Sequence, residues 1–246
     1  MTTQAYGKLV VADDPAALAR EAADRLLAWA METSGLARIA LSGGSTPSRT
    51  YQELASPRLV GSFPWARVHW FWGDERFVPP DHPESNFRMA REAMLDAAPV
   101  PPDNVHPIPT VGLGPDEAAA AYEQMLQAAY GGRQLVPGRP LFDVCLLGLG
   151  DDGHTASLIP GEPVLGERAR WVAAVAHGRP EVRLTLTYPA IDASRHIAFL
   201  VSGAGKRTIL REVVSGGSTA PAARLKPWGD LVFIADRAAA GDLAET

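Results

Sequence analysis

Asp151, Asp152 and His154 fall within four consecutive residues, directly behind Gly148-Leu149-Gly150. An imidazole two residues from a carboxylate can exchange a proton near neutral pH, the chemistry of a general acid or base. The run in front of them, Phe142–Leu147, is apolar, β-branched and aromatic, with Asp143 near its start as its one polar residue. It reads as a strand covered on both faces, as in the middle of a parallel sheet. Ionisable groups released by a glycine turn at a strand's carboxyl end are how an open α/β sheet presents chemistry. A glycine-rich turn with solvated acids is the competing reading.

Three other stretches have the same form. Arg38–Leu41 ends in Ser42-Gly43-Gly44-Ser45-Thr46-Pro47. Small residues between a strand end and a helix start leave backbone N–H groups free for an anion such as phosphate. The G-K-[ST] ending of a Walker loop is absent, and a plain turn competes. Val68–Trp72 runs into Gly73-Asp74-Glu75-Arg76, which reads as a loop carrying an arginine and carboxylates into the same crevice, or as a solvated turn. Lys206, behind Gly203-Ala204-Gly205 at the head of a helix, suits phosphate as well as it suits solvent.

Gly148, Gly150 and Gly153 also satisfy the dinucleotide pattern G-x-G-x-x-G. Two carboxylates in that loop would repel a pyrophosphate, and no acid ends the next strand-like run, Trp171–Ala176, to hold a ribose. The six histidines show no metal-binding spacing, so no metal is expected. Cys145, the single cysteine, lies inside the apolar strand and reads as core.

With 23 basic and 28 acidic side chains the net charge is −5, which argues against nucleic acid and anionic membranes as partners. No signal peptide is apparent and no apolar run approaches the length of a membrane span, so a cytoplasmic protein is expected, as a monomer. The 246 residues, 46% hydrophobic, can bury a full core as one large α/β domain or two small ones. With no interdomain linker apparent, the chain is read here as a single domain over residues 1–246 with at most a small subdomain.

The positioning elements follow from period and punctuation. Lys8–Val11 is a strand, and Asp14-Pro15 caps a helix to about Thr33 whose stripe is Leu18, Ala22, Leu26, Trp29 and Ala30. Pro47 suits the start of a helix to about Leu54. Pro83–Phe87 opens a helix to about Leu95, and Pro115–Tyr130 is an alanine-rich helix. Trp171–Ala176, Arg183–Thr187, Ile197–Ser202 and Leu231–Ala235 are strands, and the helix behind Lys206 ends at Val214. Alternating strands and helices give an α/β fold, a mostly parallel sheet flanked by helices.

The stretches LSGGSTP, WGDERFVPPDHPESN, FDVCLLGLGDDGHTASLIPG, RLTLTYPAI and VSGAGKR together resemble the 6-phosphogluconolactonase family, from about residue 38 to 236. The resemblance implies a modified Rossmann-like fold and cofactor-free hydrolysis of 6-phospho-D-glucono-1,5-lactone in the pentose phosphate pathway. In the related glucosamine-6-phosphate deaminases the segment behind D-G-H runs toward F-N-E-P. Here Ile159 takes the glutamate's place, which favours the lactonase. Val232–Asp236 matches the family's ending only loosely, at what reads as one edge of the sheet.

On that substrate His154 is assigned as the base that activates water and then as the acid, with Asp152 orienting its ring. Arg76 holds substrate oxygen or phosphate, supported by Asp74 and Asn86. Ser45 lacks a nucleophile elbow and is read as a phosphate ligand, together with Gly43, Gly44, Thr46, Arg183 and Lys206. A sugar-phosphate sensor without turnover is the rival from another class. It is disfavoured because no DNA-binding module precedes the first strand.

Overall fold

The computed structural model describes residues 6–245. Six strands, β1 (Lys8–Ala12), β2 (Ala37–Leu41), β3 (Val68–Trp72), β5 (Phe142–Gly148), β8 (Ser194–Val201) and β9 (Asp230–Asp236), form one sheet in the order β1-β9-β8-β5-β2-β3. Every pairing in it is parallel. The apolar runs seen in the sequence are the reason: β5 is buried from Phe142 to Leu147, as a strand covered by helices on both faces must be.

Helix α1 (Pro15–Glu32) starts where Asp14 caps the backbone N–H of Ala17, and it buries the expected stripe. Helix α2 (Ser45–Leu54) starts two residues before Pro47, behind Gly44 at φ +105°, so Ser45 and Thr46 form its first turn. Helix α3 (Asn86–Ala90) is capped by Ser85 and passes into a π turn over Arg91–Leu95. Helices α4 (Pro115–Tyr130), α5 (Tyr188–Asp192), α6 (Arg207–Val214) and α7 (Arg237–Ala240) complete the cover.

Two expectations about the strands need correction. Asp74–Arg76 is not a loop. It is strand β4, paired antiparallel with β7 (Arg183–Leu186), which in turn pairs with β6 (Val172–Val175), making a separate three-stranded sheet. Gly73 is the hinge between the sheets: its N–H donates to Leu41 O of the parallel sheet, while its carbonyl accepts from Leu186 N of the small one. Three consecutive polar or charged residues carry no apolar alternation, so this strand comes from pairing and not from propensity. Likewise Val232–Asp236 does not lie at an edge, because β9 sits between β8 and β1, and β1 is the edge. Both sheets contribute to one continuous apolar core.

Candidate active site

The carboxyl ends of β2, β3, β5 and β8 open on a cavity of roughly 240 Å³. Gly43, Gly44, Asp74, Arg76, Asn86, His154, Arg183 and Lys206 line it, as the sequence suggested, together with Ser42, Gly148, Leu149, Gly150 and Ala156. Ser45, Thr46 and Asp152 do not: the first two stand just behind Gly44 in the first turn of α2, and Asp152 reaches the cavity through His154.

The loop behind β2 is pinned from below. Buried Tyr51 on α2 accepts from Ser42 N (2.9 Å) and donates to Ser42 O (2.8 Å), and burial pushes its phenol far up. From above, Asn86 lies against Gly43. A Cβ on Gly43 would sit 2.0 Å from Asn86 Oδ1, so only glycine permits the approach. Asn86 Nδ2 in turn donates to Asp74 O (2.9 Å).

Glu75 is buried and is not among the residues lining this cavity. It accepts from the backbone N–H groups of Arg76, Asn86 and Phe87 and from Ser85 Oγ, tying β4 to the start of α3. Burial pushes its carboxyl up, and the backbone donors oppose that shift.

The register of β4 on β7 sets Arg76 directly opposite Arg183. Arg76 Nη1 donates to Glu84 O (2.6 Å) and Arg183 Nη2 lies 3.4 Å from Glu181. The Nε of each arginine is buried with no hydrogen-bond partner among the described residues. Burial, then the neighbouring Arg76 charge, pushes the Arg183 guanidinium down. Like charges directly opposed on a sheet are destabilising, and unpaired buried donors add to the cost. A dianion seated between the two guanidinium groups would offset their mutual repulsion. Lys206 Nζ, on the same cavity, is paired with Asp151 at 2.6 Å.

The loop behind β5 is bent tightly to present His154. Gly150 N donates to His154 O (2.9 Å) and Gly153 N to Gly150 O (2.9 Å), with Gly153 at φ +77°. A Cβ on Gly150 would stand 1.9 Å from His154 Nδ1. Here glycine makes room for a ring and not for a pyrophosphate: β5 continues into a loop, without the helix N-terminus a dinucleotide site requires. Asp152 contacts His154, its Oδ1 lying 2.5 Å from Nδ1 and accepting from the backbone N–H at 3.1 Å. Burial pushes the Asp152 carboxyl up, yet the hydrogen bonds from Arg179 and from the ring and backbone of His154 outweigh it. The carboxyl is held well below the ordinary range.

Four contributors were not singled out in the sequence. Tyr51 looks like helix core. Ser157 donates to Asp74 Oδ2 (2.7 Å) and its N–H to Thr185 Oγ1 (3.0 Å), fastening the His154 loop to the small sheet. Arg179, in a polar loop with no pattern, donates to Asp152 Oδ2 (2.7 Å). Ala156, at φ +47°, is the one non-glycine residue in left-handed backbone among those described, and it lines the cavity.

Among the described residues no group of three or more His, Cys, Asp or Glu is arranged to hold a metal. His69 pairs with His106, and His196 stacks on Trp29 between Glu32 and Asp230, all outside the cavity.

The pattern of the family described as glucosamine-6-phosphate isomerases/6-phosphogluconolactonase matches residues 13–233. A 6-phosphogluconolactonase of Nostoc sp. is 41% identical over 241 residues, covering 95% of this chain and 97% of its own. One from Synechocystis sp. is 43% identical over 218 residues, 87% of this chain and 88% of its own. The solved 6-phosphogluconolactonase of Trypanosoma cruzi superposes with a TM-score of 0.84 at 30% identity, over 99% of this chain and 98% of that one. By sequence and by fold alike, the chain belongs to the glucosamine-6-phosphate isomerase/6-phosphogluconolactonase family.

Proposed function

We propose that this cavity hydrolyses 6-phospho-D-glucono-1,5-lactone to 6-phospho-D-gluconate, with His154 moving the proton. The observation that carries the reading is the Arg76–Arg183 pair: opposed cations with unpaired buried donors, on the same cavity as a histidine held by a carboxylate. The first is a seat for a phosphate dianion, and the second is an acid–base group. The 6-phosphogluconolactonases similar to this chain carry the same activity in their names.

In this reading Nδ1 of His154 faces Asp152, leaving Nε2 for the reaction. Nε2 takes a proton from water as the oxygen adds to the lactone carbonyl. The tetrahedral oxyanion then collapses, the bond to the ring oxygen breaks, and the imidazolium returns its proton to that oxygen. Asp152 stabilises the imidazolium in between. Arg76, Arg183 and Lys206 hold the phosphate, with Gly43 and Gly44, which line the cavity just ahead of α2, as further donors. Asp74 and Asn86 keep the loops in register. No step uses a metal or organic cofactor, and the enzyme works as a cytoplasmic monomer of one domain.

The family also contains isomerases and deaminases, and the residue at the deaminase's glutamate position decides against that chemistry. Ile159 is 3% exposed in the apolar core and has no group to move a proton. Rates of lactone opening, corrected for spontaneous hydrolysis, and of ammonia release from glucosamine 6-phosphate test the assignment. Rapid lactone opening without ammonia is expected. Comparable rates on both substrates overturn it, and binding without turnover would make the chain a sensor.

A further inference from the structure

Arg179 touches both members of the acid–base pair, and the chemistry above gives it no task. It lies in the loop between β6 and β7, with 27% of its side chain exposed. Its Nη2 donates to Asp152 Oδ2 at 2.7 Å and stands 3.0 Å from Nδ1 of His154. Asp152 Oδ1 is 2.5 Å from the same Nδ1. Nη1 donates to Gly178 O at 2.7 Å, which fixes the guanidinium from the other side.

Nδ1 has a single in-plane position for a hydrogen bond. It either carries a proton toward Asp152, leaving Nε2 bare as a base, or presents a lone pair to Arg179, which puts the proton on Nε2. Distance and charge favour the first. The carboxylate is closer to Nδ1, and the guanidinium's shorter bond goes to the ionised Oδ2, where a charge-assisted bond is stronger than one to a neutral nitrogen. What Arg179 then exerts on the ring is its charge. A positive group 3.0 Å from Nδ1 opposes a second positive charge on the imidazole.

The other charged groups near the ring act at longer range or are already paired. Lys206, behind β8, is held by Asp151, while Arg76 and Asp74 on β4 and Arg183 on β7 line the same cavity. Asp152, on the ring's own loop, favours the imidazolium.

Resting on the assignment of His154 as base, we propose that Arg179 is a positioning residue for the reaction: it aligns the Asp152 carboxylate on Nδ1 of His154 and sets its own charge against a second positive charge on the ring. Without it, Asp152 would hold the ring protonated over a wider range of pH. In Arg179→Met the charge is lost at similar length, whereas Arg179→Lys keeps it.

Two measurements on the full chain test this: the imidazole titration of His154 by 15N–13C NMR without substrate, and the pH profile of kcat/KM on the phosphorylated lactone. In Arg179→Met both the ring titration and the acid limb should move to higher pH by about one unit. Arg179→Lys should stay near wild type. A loop anchor alone would alter KM or thermal stability in both variants and leave the titration in place. An unmoved titration in Arg179→Met, or one moved to lower pH, overturns the proposal while leaving lactone hydrolysis standing. His154→Asn runs in parallel: if it keeps the acid limb, His154 is not the base, and the proposed chemistry falls together with this role.

Discussion

His154 depends on three neighbours that are close in sequence: Gly150 makes room for the ring, Gly153 turns the chain, and Asp152 holds Nδ1. Replacement by asparagine keeps a hydrogen-bonding side chain but cannot take up a proton. His154→Asn should therefore fold, bind substrate and lose roughly 10²–10⁴ in kcat together with the acid limb of the profile. A folded variant that kept more than about a tenth of the rate would rule out a base with a contribution of that size.

Arg183 yields a second test, because its proposed role in holding phosphate opposes stability. It is partly buried, faces Arg76, and leaves Nε unpaired among the described residues. Arg183→Met should raise KM for the phosphorylated lactone by about 10- to 150-fold, the loss of a hydrogen bond to a charged group at about 1.5–3 kcal/mol. Activity on unphosphorylated gluconolactone should change little. The free variant should also melt higher than wild type, since the opposed charges are gone. A lower melting temperature with equal losses on both substrates would make Arg183 structural.

At the scale of elements, the site is an arrangement of loops that lock one another. Gly43 accepts Asn86 against its Cα, Asn86 ties to Asp74, and Asp74 takes the Ser157 hydroxyl from the His154 loop. Gly43→Ala forces a Cβ into Asn86 and should destabilise the protein by about 1–3 kcal/mol, the usual cost of overpacking. KM should rise with it, because the loop behind β2, proposed to bind phosphate, is pushed away from β4. Ser157→Ala leaves a buried carboxylate with one donor fewer and should cost about 1–3 kcal/mol. Chemical denaturation read beside the kinetics checks both. A fully stable Gly43→Ala would mean that Asn86 moves aside freely.

For the whole molecule, pH acts through carboxyls shifted in opposite directions. Burial raises the Asp192 carboxyl to about 6, against the opposing backbone hydrogen bond from Lys226. A carboxyl with a raised folded-state value binds its proton more tightly when folded. Its ionisation therefore costs stability above about pH 6, and the cost fades as pH falls from there toward the ordinary value near 4. Asp192→Asn should stabilise the protein on the order of 1–2 kcal/mol at pH 8 and by little at pH 4, after allowing for solvent screening. Thermal melts across that range decide it, and a benefit independent of pH would mean that charge is not the cause. Asp152 has the opposite sign: its depressed carboxyl favours the folded state above the ordinary carboxylate range and loses that effect as pH falls.

The apolar runs Phe142–Leu147 and Val68–Trp72, the cap at Asp14-Pro15 and the glycines behind β2 and β5 are local signals, so the sequence alone determined the parallel sheet and which residues stand at its carboxyl edge. It could not show that Asp74–Arg76 pairs as a strand, that β9 lies inside the sheet, or that Arg76 meets Arg183 and Arg179 meets Asp152. Those facts join residues far apart in the chain through backbone register and charge. Short charged segments have no hydrophobic period to announce a partner, so only the folded chain decides which of them meet.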